Sequence, residues 1–499
     1  MKFPTFKRIS ISCLFIILLS IPIFSQRVSK PLASVEGGIF TTPFTVNLTT
    51  TTPDASIFYT IDGKEPDSTD QRYVTPLSIS NNTTLRVKAY AQGLKASSVL
   101  THTYLFDANH TFPIAAVSFK PADFFGDTGI YTLFNENREV PIHVEFFDSS
   151  YHRASFSMSL NTEIQGSSSA SLPQKSLEIK AGSSGIQYPI FPTLPFSKYQ
   201  RFVLRNAGQD WGITMFRDVM VQSLALRIND LKGILDTPKL FLQEYRPTAV
   251  YYNGQYWGIH DLRERMNRFY VEQHFGWATS EFDLIENWGE TINNGDNIAF
   301  NELINSLNTQ NFSTSEAYDS LQNRIDIANF MDYVAFNVII DNEDWPMNNA
   351  RCFRKKIGGK WQWMNYDHDF SFGLYTPSGW NTSDASQNAL LRMFNETNFA
   401  WPNSPPSTLL FRKCMENPTI RHNFINRSAD LLNTLFLPKR VVNRIDEFIN
   451  LYTPELPKHV ERWGAPTPDS FANNVEKMRL FAQARPDSVR QHFVQNFQK

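Results

Sequence analysis

The sequence predicts a multidomain chain in which a small all-β sandwich precedes a larger α+β domain that ends in a helical lobe. Its 499 residues exceed what one compact core usually needs, so more than one structural unit is expected. Short alternating strands fill residues 31–106, whereas apolar positions at helical spacing dominate beyond residue 300. Aromatic residues make up 14% of the chain, which excludes a disordered protein.

The N-terminus has the pattern of an export signal. Basic residues within the first eight positions precede an apolar run over residues 9–24, and Ser25 and Gln26 follow it. This order is typical of a secretory signal peptide, and the run is shorter than the roughly 20 residues that span a bilayer. We therefore expect residues 1–25 to be removed, no transmembrane span to remain, and the mature protein to be secreted or held in the cell envelope, in the periplasm or at the cell surface.

Net charge and cysteine usage exclude further classes of protein. Lys and Arg number 47 against 49 for Asp and Glu, so the chain has no basic field for a nucleic-acid backbone and no nucleic-acid partner is expected. Only Cys352 and Cys414 follow the signal region, which is too few for a disulfide framework, and the sequence leaves open whether they pair. No cysteine and histidine cluster has the spacing of a structural zinc site.

Residues 31–106 are predicted to form the sandwich. Alternating apolar residues favour strands over 44–48, 56–61, 83–91 and 99–105, and turn residues separate them. Four motifs of this stretch resemble the chitobiase/β-hexosaminidase C-terminal type module: Gly38-Ile39-Phe40, Val46-Asn47-Leu48, Tyr59-Thr60-Ile61-Asp62-Gly63-Lys64-Glu65-Pro66 and Leu85-Arg86-Val87-Lys88-Ala89. The resemblance implies an immunoglobulin-like module that accompanies catalytic domains. A spacer is its favoured role, and a polysaccharide contact is the alternative.

The second domain is expected over residues 112–498, with a β-rich part over about 112–262 and a helical part over about 263–498. The β-rich part has strand patterns at 114–119, 142–147, 156–160, 176–180 and 201–205, a small-residue loop at 166–171, a helix pattern at 214–227 and a hairpin turning at Asn253-Gly254. In the helical part an apolar stripe follows Asp326, and one hairpin, 350–355 with 361–365, turns at Gly358-Gly359.

A series of acidic and amide residues after the buried helix points to phosphoryl transfer. Asp344 is followed five residues later by Asn349, and the hairpin then leads to Asp367 and Asp369. Protein kinases place one carboxylate beside the acceptor hydroxyl and hold metal ions on the ATP phosphates with an Asn and an Asp. We therefore predict Asp344 as the catalytic carboxylate and Asn349, Asp367 and Asp369 as metal ligands. Taken singly, such residues are ordinarily turn formers, so the order of elements carries the interpretation.

The β-rich part supplies candidate groups for the nucleotide. Arg205, at the end of its strand, and Lys180 are rival cations for the phosphates, and Asp218 on the following helix would fix the cation. Glu264 lies where a hinge would contact the adenine. Taken alone, Arg205 and Lys180 are equally well ordinary strand-end charges, and a residue such as Glu264 is more often a helix N-terminal acid than a site residue. No Gly-x-Gly-x-x-Gly and no Gly-x4-Gly-Lys-Ser/Thr occurs, which favours an atypical kinase or one without activity.

Motifs across residues 112–498 resemble the CotH kinase family. They are Pro173-Gln174-Lys175-Ser176-Leu177, Leu204-Arg205-Asn206, Phe216-Arg217-Asp218, Asn253-Gly254-Gln255-Tyr256-Trp257-Gly258-Ile259, Asn342-Glu343-Asp344-Trp345, Asn348-Asn349 and Asp367-His368-Asp369. The resemblance implies an atypical protein-kinase fold that uses ATP with Mg²⁺ (or Mn²⁺) to phosphorylate Ser or Thr. The expected partner is a protein at the cell envelope or surface. The rival hypothesis is a non-catalytic surface or adhesion protein, or one that contacts polysaccharide, built on the same fold.

Overall fold

The structure is a computed structural model that describes residues 26–106, 108–148, 152–374, 383–395 and 404–498, so the predicted signal peptide lies outside the described residues. Its strands are β1 (Leu32–Ala33), β2 (Gly38–Phe40), β3 (Phe44–Val46), β4 (Leu48–Thr49), β5 (Ser56–Thr60), β6 (Gln71–Arg72), β7 (Leu77–Ile79), β8 (Thr83–Tyr90), β9 (Leu100–Phe106), β10 (Ile114–Ser118), β11 (Val140–Phe147), β12 (Phe156–Gln165), β13 (Ser176–Lys180), β14 (Ile186–Gln187), β15 (Lys198–Tyr199), β16 (Arg201–Arg205), β17 (Tyr245–Tyr252), β18 (Gln255–Glu264), β19 (Phe282–Glu286), β20 (Thr291–Asn294), β21 (Arg351–Lys355) and β22 (Gln362–Met364). Its helices are α1 (Pro121–Phe125), α2 (Arg217–Leu226), α3 (Arg268–Phe275), α4 (Ile298–Thr309), α5 (Ser315–Gln322), α6 (Ile327–Ile340), α7 (Ala389–Phe394), α8 (Pro405–Glu416), α9 (Pro418–Asn433), α10 (Pro438–Tyr452), α11 (Leu456–Trp463) and α12 (Pro468–Phe497).

The N-terminal part of the chain is all β and has its own core. A five-stranded sheet has the order β2-β9-β8-β5-β6, and the pairs β1-β4 and β3-β7 complete the unit. The side chains of Val46, Leu85, Val87 and Tyr104 are fully buried between these strands. Strands predicted from alternation over 56–61 and 83–91 are thereby confirmed as β5 and β8, because one face of each supplies the core.

A closed barrel follows, with the strand order β10-β11-β12-β13-β16-β18-β17 and a return to β10. All neighbouring strands are antiparallel except β10 and β17, which run parallel. Apolar side chains such as Val144, Leu177 and Val250 pack into its core. The strands predicted over 176–180 and 201–205 are confirmed as β13 and β16, and the hairpin at Asn253-Gly254 is confirmed as β17 and β18.

The two β units meet through an apolar cluster and a few polar contacts. Leu105 of β9 packs in one cluster with Ile114, Ala249 and Tyr251 of the barrel. At the turn between β17 and β18, Asn253 donates from Nδ2 to the carbonyl of Asp62 at 3.2 Å. The N-terminal unit therefore packs directly against the barrel and is not joined to it by a linker alone.

The part of the chain after Glu264 packs around α6. The side chain of Asp326 accepts a hydrogen bond from the backbone N–H of Asn329 at 3.1 Å, which caps the start of this helix. Every residue from Asn329 to Ile340 is buried, so the predicted apolar stripe is confirmed and the burial extends around the helix. Helices α2 and α8 to α12 share the same core, which fastens the barrel to the helical part.

A four-stranded sheet in the order β20-β19-β21-β22 borders α6. The predicted hairpin is confirmed as β21 and β22. Its neighbours β19 and β20 were not predicted, so the part of the chain expected to be helical contains a sheet as well. The run Phe282–Glu286 is short, and periodicity alone does not separate such a run from a buried helical segment.

Two further points about the chain follow from the described residues. Cys352 lies on β21 and Cys414 lies in α8, and both are buried free thiols, so they do not pair with each other. No helix within the described ranges combines the length and the apolar character needed to cross a membrane.

Candidate functional site

A polar cleft of about 540 Å³ lies between the barrel and the loops that follow α6 and β22. The predicted residues Arg205, Asp344, Asn349, Asp367 and Asp369 all line it. They come from β16 and from two loops, so residues up to 164 positions apart in the chain meet here. The structure thus brings the predicted catalytic residue, the predicted metal ligands and one predicted cation into a single cavity.

A chain of buried amides positions the loop that carries Asp344. Asn337 of α6 donates from Nδ2 to Oδ1 of Asn365 at 2.9 Å, and Asn342 donates from Nδ2 to Oδ1 of Asn337 at 2.9 Å. The Oδ1 atom of Asn342 then accepts from the backbone N–H of Asp344 at 3.2 Å. Because an unpaired buried amide is unfavourable, these bonds hold the loop against the helix end.

The C-terminal helix also supports this loop. Arg485 of α12 is buried, and its guanidinium donates to the carbonyl of Val338 at 2.7 Å and to that of Ile339 at 2.9 Å. These carbonyls belong to the last turn of α6, where C=O groups have no N–H partner within the helix. The same guanidinium donates to the carbonyl of Gln387 at 2.6 Å. Arg485 therefore ties the end of α6, from which the Asp344 loop departs, to a second loop.

Two amides fix the carboxylate of Asp344. Asn348 and Asn349 both donate from Nδ2 to its Oδ2, at 2.7 and 2.9 Å. This bond leaves the amide oxygen of Asn349 on the opposite side of its side chain. Asn349 and Asp367 have φ angles of 54° and 61°, in the left-handed region that non-glycine residues rarely adopt. Such conformations concentrate at functional sites, where the surrounding fold enforces them.

Arg205 bridges the two acidic residues of the second loop. Its Nη2 pairs with Oδ1 of Asp367 and, at 2.8 Å, with Oδ2 of Asp369. Burial raises the pKa of Asp369 well above its usual range, and the nearby Asp367 carboxylate reinforces this shift. Burial opposes the charge of Arg205, but the Asp367 and Asp369 carboxylates outweigh it and raise the pKa of Arg205. The guanidinium thus neutralises charge at the place where metal ligands were predicted.

Asp218 of α2 lies behind Arg205 and does not line the cleft. Its Oδ2 accepts from Nη1 of Arg263 at 2.6 Å and is 3.8 Å from Nε of Arg205. Its Oδ1 accepts from the backbone N–H of His368 at 2.9 Å, within the Asp367 to Asp369 loop. Burial opposes ionisation, yet Arg263 holds the pKa of Asp218 well below its usual range. Asp218 is therefore a charged anchor for Arg205 and for the acidic loop.

Lys180 and Glu264 are not brought to the cleft. The ammonium group of Lys180 pairs with Glu139 at 2.8 Å and with Glu163 at 2.7 Å, and it lines a different cavity. Glu264 is buried at the end of β18, where it pairs with Nε2 of His274 at 2.7 Å. Both predictions rested only on position along a strand. The residues that pair with Lys180 and Glu264 lie on other parts of the chain, so the sequence did not reveal the pairing.

Sequence reasoning missed a serine loop at the cleft. Residues 166–169, Gly-Ser-Ser-Ser, line the cleft, and Ser168 accepts from Nε2 of Gln209 at 2.8 Å. The backbone N–H of Gln209 donates in turn to Asp369 at 2.9 Å, so the loop connects to the acidic pair. The sequence identified these residues only as a small-residue loop, because no phosphate-loop motif contains this serine run.

Two ion-paired arginines were also missed. Arg265 donates from Nε to Glu178 at 2.8 Å, and Arg351 pairs with Glu286 at 2.6 Å while its guanidinium lies 4.7 Å from the ring centroid of Tyr366. All of these groups line the cleft. These ion pairs place charges of both signs on the walls of the cleft. They could not be predicted from sequence, because each pair joins segments that are far apart in the chain.

The oxygen donors of the cleft are of the kind that binds Mg²⁺. Asp367, Asp369 and Asn349 offer carboxylate and amide oxygens, the ligands that hard divalent cations prefer. Within the described ranges, no three His, Cys, Asp or Glu side chains converge as a metal cage. Mg²⁺ is commonly held by one or two carboxylates together with substrate phosphates, so the donor set matches this mode of binding.

Comparison with known families gives two matches. A family model described as CotH kinase protein matches residues 162–489, and a model described as Chitobiase/beta-hexosaminidase C-terminal domain matches residues 35–101. No curated protein matches the chain. The first match covers most of the chain and contains the whole cleft apart from Asn137. Both resemblances recognised from sequence motifs are thereby confirmed.

Proposed function

The chain belongs to the CotH kinase protein family, and we propose that it is an exported, ATP-dependent protein kinase of atypical type. The reaction is transfer of the γ-phosphoryl group of ATP to Ser or Thr of a protein at the cell envelope or surface. Residues 112–498 form the kinase-like domain in this proposal, with the barrel as its first lobe and the helices as its second. The N-terminal β unit is an immunoglobulin-like sandwich carried in front of it.

One observation carries the proposal. A cation on a barrel strand, Arg205, meets two carboxylates, Asp367 and Asp369, in the same cleft as the Asp344 and Asn349 pair. Phosphoryl transfer needs these parts together, because its catalysis consists mainly of positioning and charge stabilisation. A cleft that served only protein contact would not require lining Asn and Asp residues with left-handed backbone conformations.

Arg205 is the group we assign to the phosphates. A guanidinium presents several N–H donors in a planar fork, which suits phosphate oxygens. Asn349, Asp367 and Asp369 would hold Mg²⁺ (or Mn²⁺), which neutralises charge on the phosphates when bound. Asp218 keeps Arg205 in place from behind.

Asp344 is the group we assign to the acceptor hydroxyl. The Asn348 and Asn349 amides orient its carboxylate, which accepts the proton of the Ser or Thr hydroxyl. The serine loop at 166–169 lines the same cleft, and in this proposal its hydroxyl and backbone N–H groups bind the phosphates in place of the absent glycine-rich loop. Lys180 and Glu264 have no part in this assignment.

Phosphotransfer and nucleotide binding should respond differently to changes at the two acids. In the full mature chain, Asp344→Asn should keep Mg²⁺-dependent ATP binding and lower phosphotransfer by about 10²- to 10⁴-fold, since a positioned base contributes that much in rate. Asp367→Asn should lose both. The measurements are calorimetry with ATP and radiolabelled phosphate transfer to the protein itself or to envelope extracts. Asp430→Asn, at an exposed position of α9, is the matched control and should change neither.

Two outcomes would contradict the proposal. If the wild type transfers no more phosphate than Asp367→Asn with either Mg²⁺ or Mn²⁺, the protein is not a kinase, and a non-catalytic surface protein takes its place. If Asp344→Asn loses ATP binding as fully as Asp367→Asn, the roles given to these two carboxylates are wrong.

A further inference from the structure

A second cavity, of about 600 Å³, lies where the N-terminal β unit meets the barrel. Lys64, Glu65 and Arg86 line it from the N-terminal unit, and Lys120 and Asp123 line it from the start of α1. The remaining wall consists of residues of β11, β12 and β13, with the loop after β13. Its volume is in the range of small-molecule binding sites, and none of the Asp344 or Asp367 loop residues borders it.

Arg86 is the feature of this cavity that points to a ligand. Its guanidinium donates from Nη1 to the carbonyl of Gly63 at 2.9 Å, while its Nε is buried without a hydrogen-bond partner. No carboxylate of the described residues forms an ion pair with Arg86. Burial lowers the pKa of Arg86, and the nearby charges of Glu65 and Asp62 only partly offset this effect. A partly buried cation without a paired carboxylate is unfavourable, and a bound anion would remove that penalty.

The other charges of the cavity are of two kinds. Lys64 and Lys180 already form ion pairs, with Asp67 and Asp70 in the first case and with Glu139 and Glu163 in the second. Lys120 is exposed at the start of α1 and provides a second cation in the lining, on a different element from Arg86. Glu65 is paired with Lys88 at 2.6 Å, which leaves the Asp123 carboxylate as the acidic group of the α1 wall.

Neutral polar groups complete the lining. Asn161 donates from Nδ2 to Glu139 at 2.6 Å, so its amide oxygen remains on the opposite side as an acceptor. Ser159 adds a hydroxyl to the same wall. Two cations beside hydroxyl, amide and carboxylate groups match a ligand that carries an acidic group together with several hydroxyls. A free inorganic anion would engage the cations alone.

We propose that this inter-unit cavity binds an acidic saccharide. The carboxylate of the sugar lies between Arg86 and Lys120, and its hydroxyls bond with Ser159, Asn161 and Asp123. The N-terminal unit then takes part in ligand binding through the face it presents to the barrel, rather than acting as a spacer. The inference does not depend on phosphotransfer, because the cavity is separate from the candidate active site.

Calorimetry of the full mature chain tests the proposal with three probes: digalacturonate, the neutral disaccharide maltose, and inorganic phosphate. Digalacturonate should bind more tightly than either of the others. Lys120→Gln and Arg86→Gln should each weaken that binding by about tenfold or more, the effect of losing one charge-assisted hydrogen bond. Arg72→Gln, which removes an exposed charge from β6 of the same unit, is the matched control and should leave the affinity unchanged.

Lys120 is exposed, so its substitution leaves the fold intact and keeps the test decisive even where Arg86→Gln destabilises β8. Absence of digalacturonate binding would overturn the proposal. So would maltose or phosphate binding as tightly as digalacturonate, because the ligand would then need no acidic sugar. Equal weakening by Arg72→Gln and Lys120→Gln would also overturn it, since the attraction would be a property of overall charge.

Discussion

The two walls of the candidate active site are built in different ways. On the barrel side, Arg205 of β16 lines the cleft and Asp218 of α2 supports it from behind, and only 12% and 4% of their side-chain surfaces are exposed. On the helical side, Asp344, Asn349 and Asp367 sit on loops, and the exposed fraction of the Asp367 side chain is 29%. Buried charge pairs hold the first wall, whereas amide hydrogen bonds and enforced backbone conformations hold the second. Breaking a buried charge pair behind the barrel wall should therefore lower stability most, whereas a conservative change of a loop carboxylate on the helical wall should lower activity with little loss of stability.

The largest expected effect tests the barrel wall. Asp218→Ala leaves Arg263 buried without its carboxylate, and breaking a buried pair in this way lowers the free energy of unfolding by about 3–5 kcal/mol. Asp344→Asn keeps shape and some hydrogen bonding, so it should change that free energy by less than about 1 kcal/mol. Denaturant unfolding followed by tryptophan fluorescence measures both variants. Equal losses in the two variants would mean that the walls do not differ as described.

A smaller effect, on pH dependence, sharpens the description of the helical wall. Burial raises the pKa of Glu343, the neighbour of Asp344, to about 8 from its ordinary 4.5, against the opposing charge of Arg392 and with the support of Asp341. The folded protein then keeps a proton that the unfolded chain releases. This contribution to stability is complete below about pH 4.5 and is lost as the pH rises through about 8.

Glu343→Gln should therefore flatten the fall in unfolding free energy between these pH values, by up to about 1.4 kcal/mol per pH unit. The measurement is denaturant unfolding at a series of pH values. Glu302→Gln, at an exposed position of α4, is the control and should follow the wild type. A parallel course for Glu343→Gln and wild type would show that Glu343 does not hold the proton.

The smallest expected effect is that of substituting Lys180, the rival of Arg205 as the cation for the phosphates. Lys180 is engaged by Glu139 and Glu163, and such partly exposed pairs contribute about 0–1 kcal/mol, so Lys180→Gln should change phosphotransfer by less than about twofold. Arg205→Gln, the matched change at the cleft, should lower phosphotransfer by about 10²-fold or more. Kinetic assays of the two variants compare the rival cations directly. A larger loss in Lys180→Gln would exchange their roles.

Local patterns in the sequence were sufficient for much of the fold. Strands β13 and β16 and helix α6 were predicted because an apolar run, or a stripe at helical spacing after Asp326, is a property of neighbouring residues. Strand β19 was missed because its short run has no such pattern. The closure of the barrel depends on the pairing of β10 with β17, far apart in the chain, which no local pattern indicates.

The residues of the candidate site likewise include some that the sequence could predict and others that it could not. Asp344, Asn349 and Asp367 follow one another in a recognisable order, so their roles could be predicted together. Lys180 and Glu264 were proposed for a cleft that they do not line, because the residues that engage them could not be located from sequence. Hydrogen bonding through Gln209 connects the serine loop at 166–169 to the acidic pair, and only the folded chain brings these segments together.

Arg485 has a consequence for the order in which the site is completed. It follows Ile339, whose carbonyl it bonds, by 146 residues. Ribosomes add about 5–20 residues per second, so a growing chain makes the last turn of α6 roughly 7 to 30 s before it makes this arginine. The Asp344 loop already exists during that interval, but its anchor does not. An unfinished chain therefore carries the acidic residues of the site before Arg485 can tie the end of α6 to the second loop.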